Sequence, residues 1–196
     1  MNENSLHELF VNCRTYRRFE QTEITEETIR SIIEDARTAS CASNLQRLRY
    51  VTVLSKESRD AMAELVRFAA YLPPEKGQPE EDERAMAYIV ILQPENGGRI
   101  SDIDMGIAAD RIVLSAYEKG IGSCMMLNYD AEKVRQLLNI EESMKPGLVI
   151  AMGIPAHTST IEEAEAGSDL RYYLDEHDDY HVPKLKTEDL VKFIYG

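Results

Sequence analysis

The sequence is short of cationic charge. It sets only 22 lysines and arginines against 35 aspartates and glutamates, a formal net charge of -13. Neutralising a phosphate backbone needs an excess of Lys and Arg, so this balance excludes a general nucleic-acid binder. Cysteine is scarce as well. Cys13, Cys41 and Cys124 are odd in number, far apart and in no CxxC arrangement. They imply neither a disulfide framework nor a zinc knuckle, and a reducing compartment is the natural setting. No window approaches the roughly 18 consecutive apolar residues of a membrane span. Residues 1–12, MNENSLHELFVN, lack a basic stretch and a long apolar run, so no signal peptide is expected. A cytoplasmic protein is the resulting expectation. Also missing are a P-loop, a GxGxxG turn after a strand, and any legible Ser/His/Asp or Cys/His constellation.

What is present is ordinary globular chain. At 196 residues, 43% hydrophobic and 29% charged, it is long enough to bury a core without staples. One domain over 1–196 is expected. SLHELFVN opens with the Ser5/Glu8 spacing of a capping box and predicts a first helix. Thr25 predicts the N-cap of a second helix. Its Ile29, Ile32, Ile33 and Ala36 form one amphipathic stripe. YVTVL (50–54) reads as a strand. Met62, Leu65, Val66 and Ala69 predict the next helical stripe. LPPEKGQPEEDE (72–83) reads as a mobile surface loop.

Further on, MAYIVIL (86–92) has no clean alternation and reads as a strand covered on both faces. Residues 102–120 read as a long buried helix, with Lys119 and Gly120 as its stop. The acids of DID (102–104) fit that helix's positive end. GSCMML (122–127) reads as a strand, and 130–140 as a helix capped by Asp130. GLVIAMGIP (147–155) is a third buried strand. Residues 157–182 read as irregular, and 187–196 as a last helix or strand arm. Strands separated by helices make an α/β or α+β layer protein.

Several stretches could carry chemistry. CRTYRRF (13–19) gathers Arg14, Arg17 and Arg18. Surface pairing is one reading, worth only ~0–1 kcal/mol per exposed pair. An anion clamp completed by Thr15 is the other, since the guanidinium fork matches phosphate oxygens. Charge alone leaves both open. ASCASNLQ (39–46) offers amide donors and acceptors on a loop that a planar ligand could approach; a plain connecting loop is the alternative. EKGIGSC (118–124) reads as a helix stop and tight turn. DEHDDYH (175–181) would place His177 and His181 on one face if helical. Its surroundings read as loop, so no metal is expected.

Taken in order, these segments resemble the nitroreductase family of FMN-dependent oxidoreductases over nearly the whole chain. CRTYRRF resembles that family's Arg-Arg-Ser-x-Arg-x-Phe opening, with Arg14, Thr15 and Arg17 on the second Arg, the Ser and the third Arg. ASCASNLQRLRY resembles its Ala-Pro-Ser-x-x-Asn-x-Gln-Pro-Trp stretch. DMGIAADRIVLSAYEKGIGSCMML resembles its central helix and Gly-Leu-Gly-Ser. HVPKLK resembles its Val-Pro-Lys-Arg element. The sequence departs from the pattern at Ser40, Cys41, Arg47 and Leu48, and at Leu185, which stands for the C-terminal Arg.

The resemblance implies an α+β fold, a central mixed sheet surrounded by helices, and an interlocked homodimer with a C-terminal arm near 183–196. It implies FMN at the dimer interface. Arg14, Thr15 and Arg17 would hold the phosphate and ribityl chain, with Lys184 or Lys186 as a second cation. Ser40, Cys41 and Asn44 would reach the flavin from the partner subunit. Met126 and Leu127 would line the ring, partly through backbone. Arg18 is left as a surface residue. The implied activity is NAD(P)H-dependent reduction of nitroaromatic or quinone-like planar acceptors by a ping-pong mechanism, with no catalytic side chain named. A divergent flavin reaction (dehalogenation or flavin fragmentation) and a non-catalytic flavin-binding protein are the alternatives.

Overall fold

A computed structural model describes residues 3–195, except for the side chains of Glu3, Asn4 and Pro74. The helices are α1 (Glu3–Asn12), α2 (Glu26–Ala36), α3 (Lys56–Leu65), α4 (Pro74–Gly77), α5 (Gly98–Glu118), α6 (Ala131–Leu137) and α7 (Thr187–Leu190). The strands are β1 (Phe19–Glu20), β2 (Arg49–Val53), β3 (Ala87–Pro94), β4 (Gly122–Met126), β5 (Met144–Pro155), β6 (Ser159–Ala164), β7 (Tyr173–Leu174) and β8 (Tyr180–Leu185).

The unbroken apolar run of β3 has a simple cause. β3 lies inside the main sheet, between β2 and β5. Both of its faces are covered. Ile89 and Ile91, with Ile150 and Met152 of β5, pack on Ile29 and Ile32 of α2 and on Ala109 and Ile112 of α5. Tyr88, Val90 and Leu92, with Val149 and Ala151, pack on Met62 and Val134 of α3 and α6. A strand buried on both sides cannot alternate. Each fully buried isoleucine stabilises the fold by roughly 1.5–3 kcal/mol.

β4 and β1 follow one another along the remaining edge of β5. All strand pairs of this sheet are antiparallel. Parallel pairing enters through an isolated Thr15–Ser123 bridge and through β6 against β8.

Several boundaries move from their sequence-based positions. Helix α1 begins at Glu3, so Ser5 lies inside it rather than at its cap. Thr25 and Asp130 cap as expected, accepting from the backbone N–H groups of Thr28 and Lys133. Helix α3 ends at Leu65; Val66 leaves to bridge Tyr129, and Ala69 has φ of 45°. Helix α5 begins at Gly98, four residues before the expected start, and its Gly97 N-cap offers no side chain to signal it. Asp104 is therefore not a first-turn acid. Segment 72–83 carries α4 and a 3-10 turn at Glu81–Glu83. The Gln78 side chain pins it to the backbone of Phe68, and Lys76 pairs with Asp178 at 2.8 Å.

Residues 157–182, expected to be irregular, instead hold most of a second sheet of order β6-β8-β7. Helix α7 is one turn, and 191–195 has no regular structure.

Candidate functional site

The candidate site forms where the chain leaves α1. Thr15 bridges Ser123 in parallel, and the N–H of Tyr16 donates to the Ser123 carbonyl at 3.0 Å. This fixes residues 13–15 beside β4. Between them and α5 lies a cavity of about 250 Å³, lined among others by Phe10, Arg14, Thr15, Asp110, Ser123 and Met125. Arg14 donates through Nη2 to the Phe10 carbonyl at 2.6 Å. Its Nε is buried with no partner among the described residues. A guanidinium N–H left unsatisfied beside a cavity is a donor waiting for an acceptor.

Strand parity sorts the apolar residues. Cys124 and Met126 face the core, both 4% exposed, while Met125 and Leu127 are 47% and 74% exposed. The Met126 side chain is thus buried in the core, and Met125 takes the outward position beside the cavity. Sequence reasoning missed Met125 and Ser123. The period of two along GSCMML puts both on the face opposite Cys124, where Ser123 is covered at 4% exposure and Met125 is exposed.

Cys13 lines the cavity too, donating to the Val113 carbonyl at 3.6 Å. Burial pushes its thiol up, only partly offset by Arg14. Burial also pushes the Cys124 thiol up to about 11. Neither thiol is prepared to act as a nucleophile, which requires thiolate.

Arg17 does not join Arg14. Its guanidinium lies 4.4 Å from the Tyr172 ring centroid and 4.6 Å from that of Tyr180, and the residue is 9% exposed. Strand geometry explains the separation: Thr15 bridges β4, and the chain then turns Arg17 toward the second sheet. Arg18, expected at the surface, is partly buried and donates to the Asp178 carbonyl. Lys184 and Lys186 sit at the far end of β8, where Lys186 pairs with Glu165 at 2.7 Å. Neither lines the Arg14 cavity.

Ser40 and Cys41 line a different cavity, under the loop that follows α2. Asn44 is exposed on that loop, with φ of 53°. Within one chain these residues and Arg14 stay apart.

The histidine motif is likewise resolved. His177 and His181 share no helical face, because residues 175–179 form a turn and His181 lies on β8. His181 places Nδ1 2.7 Å from Glu162 and Nε2 3.2 Å from Asp175, one carboxylate on each nitrogen. Carboxylates on both nitrogens favour the protonated imidazole. Among the described residues, no group of three or more His, Cys, Asp or Glu could hold a metal ion. No helix there is long and apolar enough to cross a membrane.

The model of the nitroreductase family matches residues 12–154. The chain belongs to the nitroreductase family. That match runs from the end of α1 through β5, so it includes Arg14, Thr15, Ser123 and Met125, while the second sheet lies outside it. Among relatives of this nitroreductase-family chain is an "FMN reductase (NADPH)" of Bacillus subtilis, 23% identical over 169 residues, covering 80% of this chain and 68% of the relative. Solved structures share the fold. A "nitroreductase family protein" of Clostridium novyi NT superposes with TM-score 0.65 at 24% identity, covering 76% of this chain and 84% of that one. An "FMN-dependent Nitroreductase" of Clostridium difficile R20291 superposes with TM-score 0.65 at 20% identity, covering 78% and 88%.

Proposed function

We propose that this chain is an NAD(P)H-dependent oxidoreductase that binds FMN in the Arg14 cavity and reduces planar nitroaromatic or quinone-like acceptors with ping-pong kinetics. The observation that carries the reading is the orphaned Arg14 Nε beside an open cavity that also presents Thr15 and Ser123. Hydroxyl and guanidinium donors side by side fit an anionic phosphate and a ribityl chain. Exposed Met125 and Leu127 fit a flat, largely apolar ring. The relatives' names support the same assignment.

Bound FMN would supply the hydride chemistry. The protein's part is to hold and orient. Arg14 neutralises the anionic group, Thr15 donates to it, and the outward face of β4 gives the ring its bed. Arg17, committed to Tyr172 and Tyr180, supports this geometry through packing. Ser40, Cys41 and Asn44 complete the site from a second copy of the chain. Exposed Ile100, Ile103 and Ile107 form a stripe along α5, and Leu6 and Phe10 form another on α1. Apolar helix faces of this kind suit a dimer interface.

Fluorescence titration with FMN and anaerobic mixing with NADH and NADPH test the reading. Flavin should bind and lose its yellow colour with at least one nicotinamide. Arg14→Ala should weaken FMN at least tenfold. Protein that binds no FMN, or whose bound flavin neither nicotinamide bleaches, would overturn it.

A further inference from the structure

In the proposed function, the loop after α2 closes the flavin site of a second copy through Ser40, Cys41 and Asn44. The cavity under that loop is therefore part of the same site. Its volume is about 140 Å³, close to the ~150 Å³ that takes a single benzene ring. Ala36, Leu48 and Ala108 give it apolar walls. The charged residues that line it are Arg37, Arg47, Arg49 and Asp104.

Three of these four are already committed. Arg37 donates to Glu34 through Nε at 2.7 Å and Nη2 at 2.5 Å. Arg49 donates through Nη1 to the carbonyls of Gln46 and Leu48, at 2.9 Å and 2.7 Å. Asp104 is 3% exposed and accepts from the N–H of Ala42 at 2.8 Å, so its carboxylate stays inside the wall. Arg47 is different. It is partly buried and has neither a hydrogen bond nor an ion pair among the described residues. None of its guanidinium nitrogens is sealed from solvent. A free guanidinium on the wall of a ring-sized space attracts an anionic substituent and matches the two oxygens of a carboxylate.

The loop sets the position of Arg47 before a ligand arrives. Ser43, Asn44 and Gln46 all have positive φ, between 46° and 53°. Non-glycine residues adopt that region only where the surroundings impose it. The Ala42–Asp104 bond ties the start of the loop to α5, and the N–H of Gln46 donates to Cys41 Sγ at 3.4 Å. Arg47 follows Gln46 directly, so little ordering is left to be done on binding.

We propose that Arg47 selects acceptors carrying an anionic substituent, so that the substrate class is a single-ring nitroaromatic or quinone bearing a carboxylate or sulfonate. This rests on the flavin reading above and adds the charge of the acceptor to it.

The test titrates 4-nitrobenzoate and 4-nitrobenzamide by calorimetry into the full-length protein saturated with oxidised FMN. No nicotinamide is present, so neither probe is reduced. The two probes share ring and shape and differ in charge. 4-Nitrobenzoate should bind about tenfold more tightly, the usual worth of a hydrogen bond between charged groups. Arg47→Gln should bring the two affinities together, and Arg47→Glu should reverse their order. FMN affinity and sedimentation behaviour should be the same in wild type and Arg47→Gln. Equal affinity of wild type for both probes, or a preference that survives Arg47→Gln, overturns the proposal. A loss of FMN in Arg47→Gln as large as in Arg14→Ala also overturns it, by giving the guanidinium to the cofactor. A changed assembly state overturns it by giving the guanidinium to the subunit interface. Protein that takes up no FMN sinks the flavin reading and this proposal together. Protein that takes up FMN and does not prefer the carboxylate sinks this proposal alone.

Discussion

The backbone N–H of Arg17 donates to Nε2 of His157 at 2.9 Å. That single bond fixes the imidazole's tautomer. Nε2 accepts, so in the neutral ring Nδ1 carries the proton and donates to the Thr158 carbonyl at 2.8 Å. The ring also packs on Tyr16 and Tyr180, with centroids at 5.4 Å and 4.7 Å. The end of β5, the start of the chain and the second sheet meet at this one neutral histidine.

Acid should therefore loosen the meeting point. Burial holds the His157 pKa down to about 4, with Arg18 and Arg17 adding to the effect. A base whose folded pKa is depressed contributes stability that is full above its unfolded value of about 6.5. That contribution falls as pH drops from there toward 4. The loss between pH 7.5 and 5 should be about 2 kcal/mol. Urea denaturation of wild type and His157→Gln at both pH values isolates it, because the other titrating groups are common to both. Equal losses in the two proteins would refute the assignment.

The Arg17 side chain makes a separate prediction. Its guanidinium lies near two tyrosine faces, where cation–π attraction is worth about 0.5–2 kcal/mol. Arg17→Ala should destabilise the fold by about 2 kcal/mol, and Arg17→Lys should recover only part of it, lacking the planar stack. FMN affinity should suffer less in Arg17→Ala than in Arg14→Ala. Thermal unfolding and flavin titration of the three variants check both statements. A larger flavin loss in Arg17→Ala would place its guanidinium in the site after all.

The contrast between these two arginines shows what the sequence could carry. The family resemblance was sound, and three cations within CRTYRRF drew attention to the segment beside the Arg14 cavity. Spacing could not say which guanidinium reaches the cavity, because a bridge to β4 and an aromatic pair some 160 residues away decide it. The main sheet was legible because β3 and β5 are apolar on both faces. The second sheet was not: β7 is two residues long, and β6 (STIEEA) has two adjacent glutamates, no polar–apolar alternation and little burial. Its order comes from pairing with β8 and from the His181 contacts, which are remote in sequence. The first turn of α5 was not legible for a local reason, the side-chain-less cap at Gly97.

His181 should titrate on the opposite side of His157. Asp175 and Glu162 hydrogen-bond its two nitrogens and raise its pKa. Its stabilising contribution is full below about 6.5 and fades as pH rises through the folded value. Imidazole proton NMR should show His181 titrating above 6.5 and His157 well below. Asp175→Asn should bring the His181 midpoint down, while leaving His157 in place. A His181 midpoint unmoved by that substitution would show that the carboxylate does not set it.

The two glycines of EKGIGSC serve different ends. Gly120 has φ of 77° and closes α5, with open space where a side chain would go. Gly120→Ala should cost about 1 kcal/mol through backbone strain alone. Gly122 is needed for close approach: a Cβ there would lie 2.6 Å from Tyr16 Cδ2 and 2.7 Å from Pro155 Cγ. Gly122→Ala should cost about 1–3 kcal/mol by overpacking. It should also weaken FMN, because Tyr16 follows Thr15 directly and the Thr15–Ser123 bridge would shift. Gly120→Ala should leave flavin affinity unchanged. Denaturation midpoints and flavin titrations separate the two roles.

The exposed face of α5 gives the sharpest test of assembly. Ile100, Ile103 and Ile107 recur at helical spacing and are 51%, 53% and 41% exposed, while Met105, Ala108 and Ala109 on the other side are buried. A helix with a buried face and an exposed isoleucine stripe has an unmet apolar surface. If a second copy covers it, one charge at its centre enters the interface twice, once per subunit, by two-fold symmetry. Ile103→Glu should therefore convert a dimer to a monomer in sedimentation experiments and leave each chain folded. Flavin should be lost with the partner, since Ser40, Cys41 and Asn44 would no longer reach the Arg14 cavity. A monomeric variant that keeps full FMN affinity would show that one chain suffices for the site. A variant that remains dimeric would place the interface elsewhere.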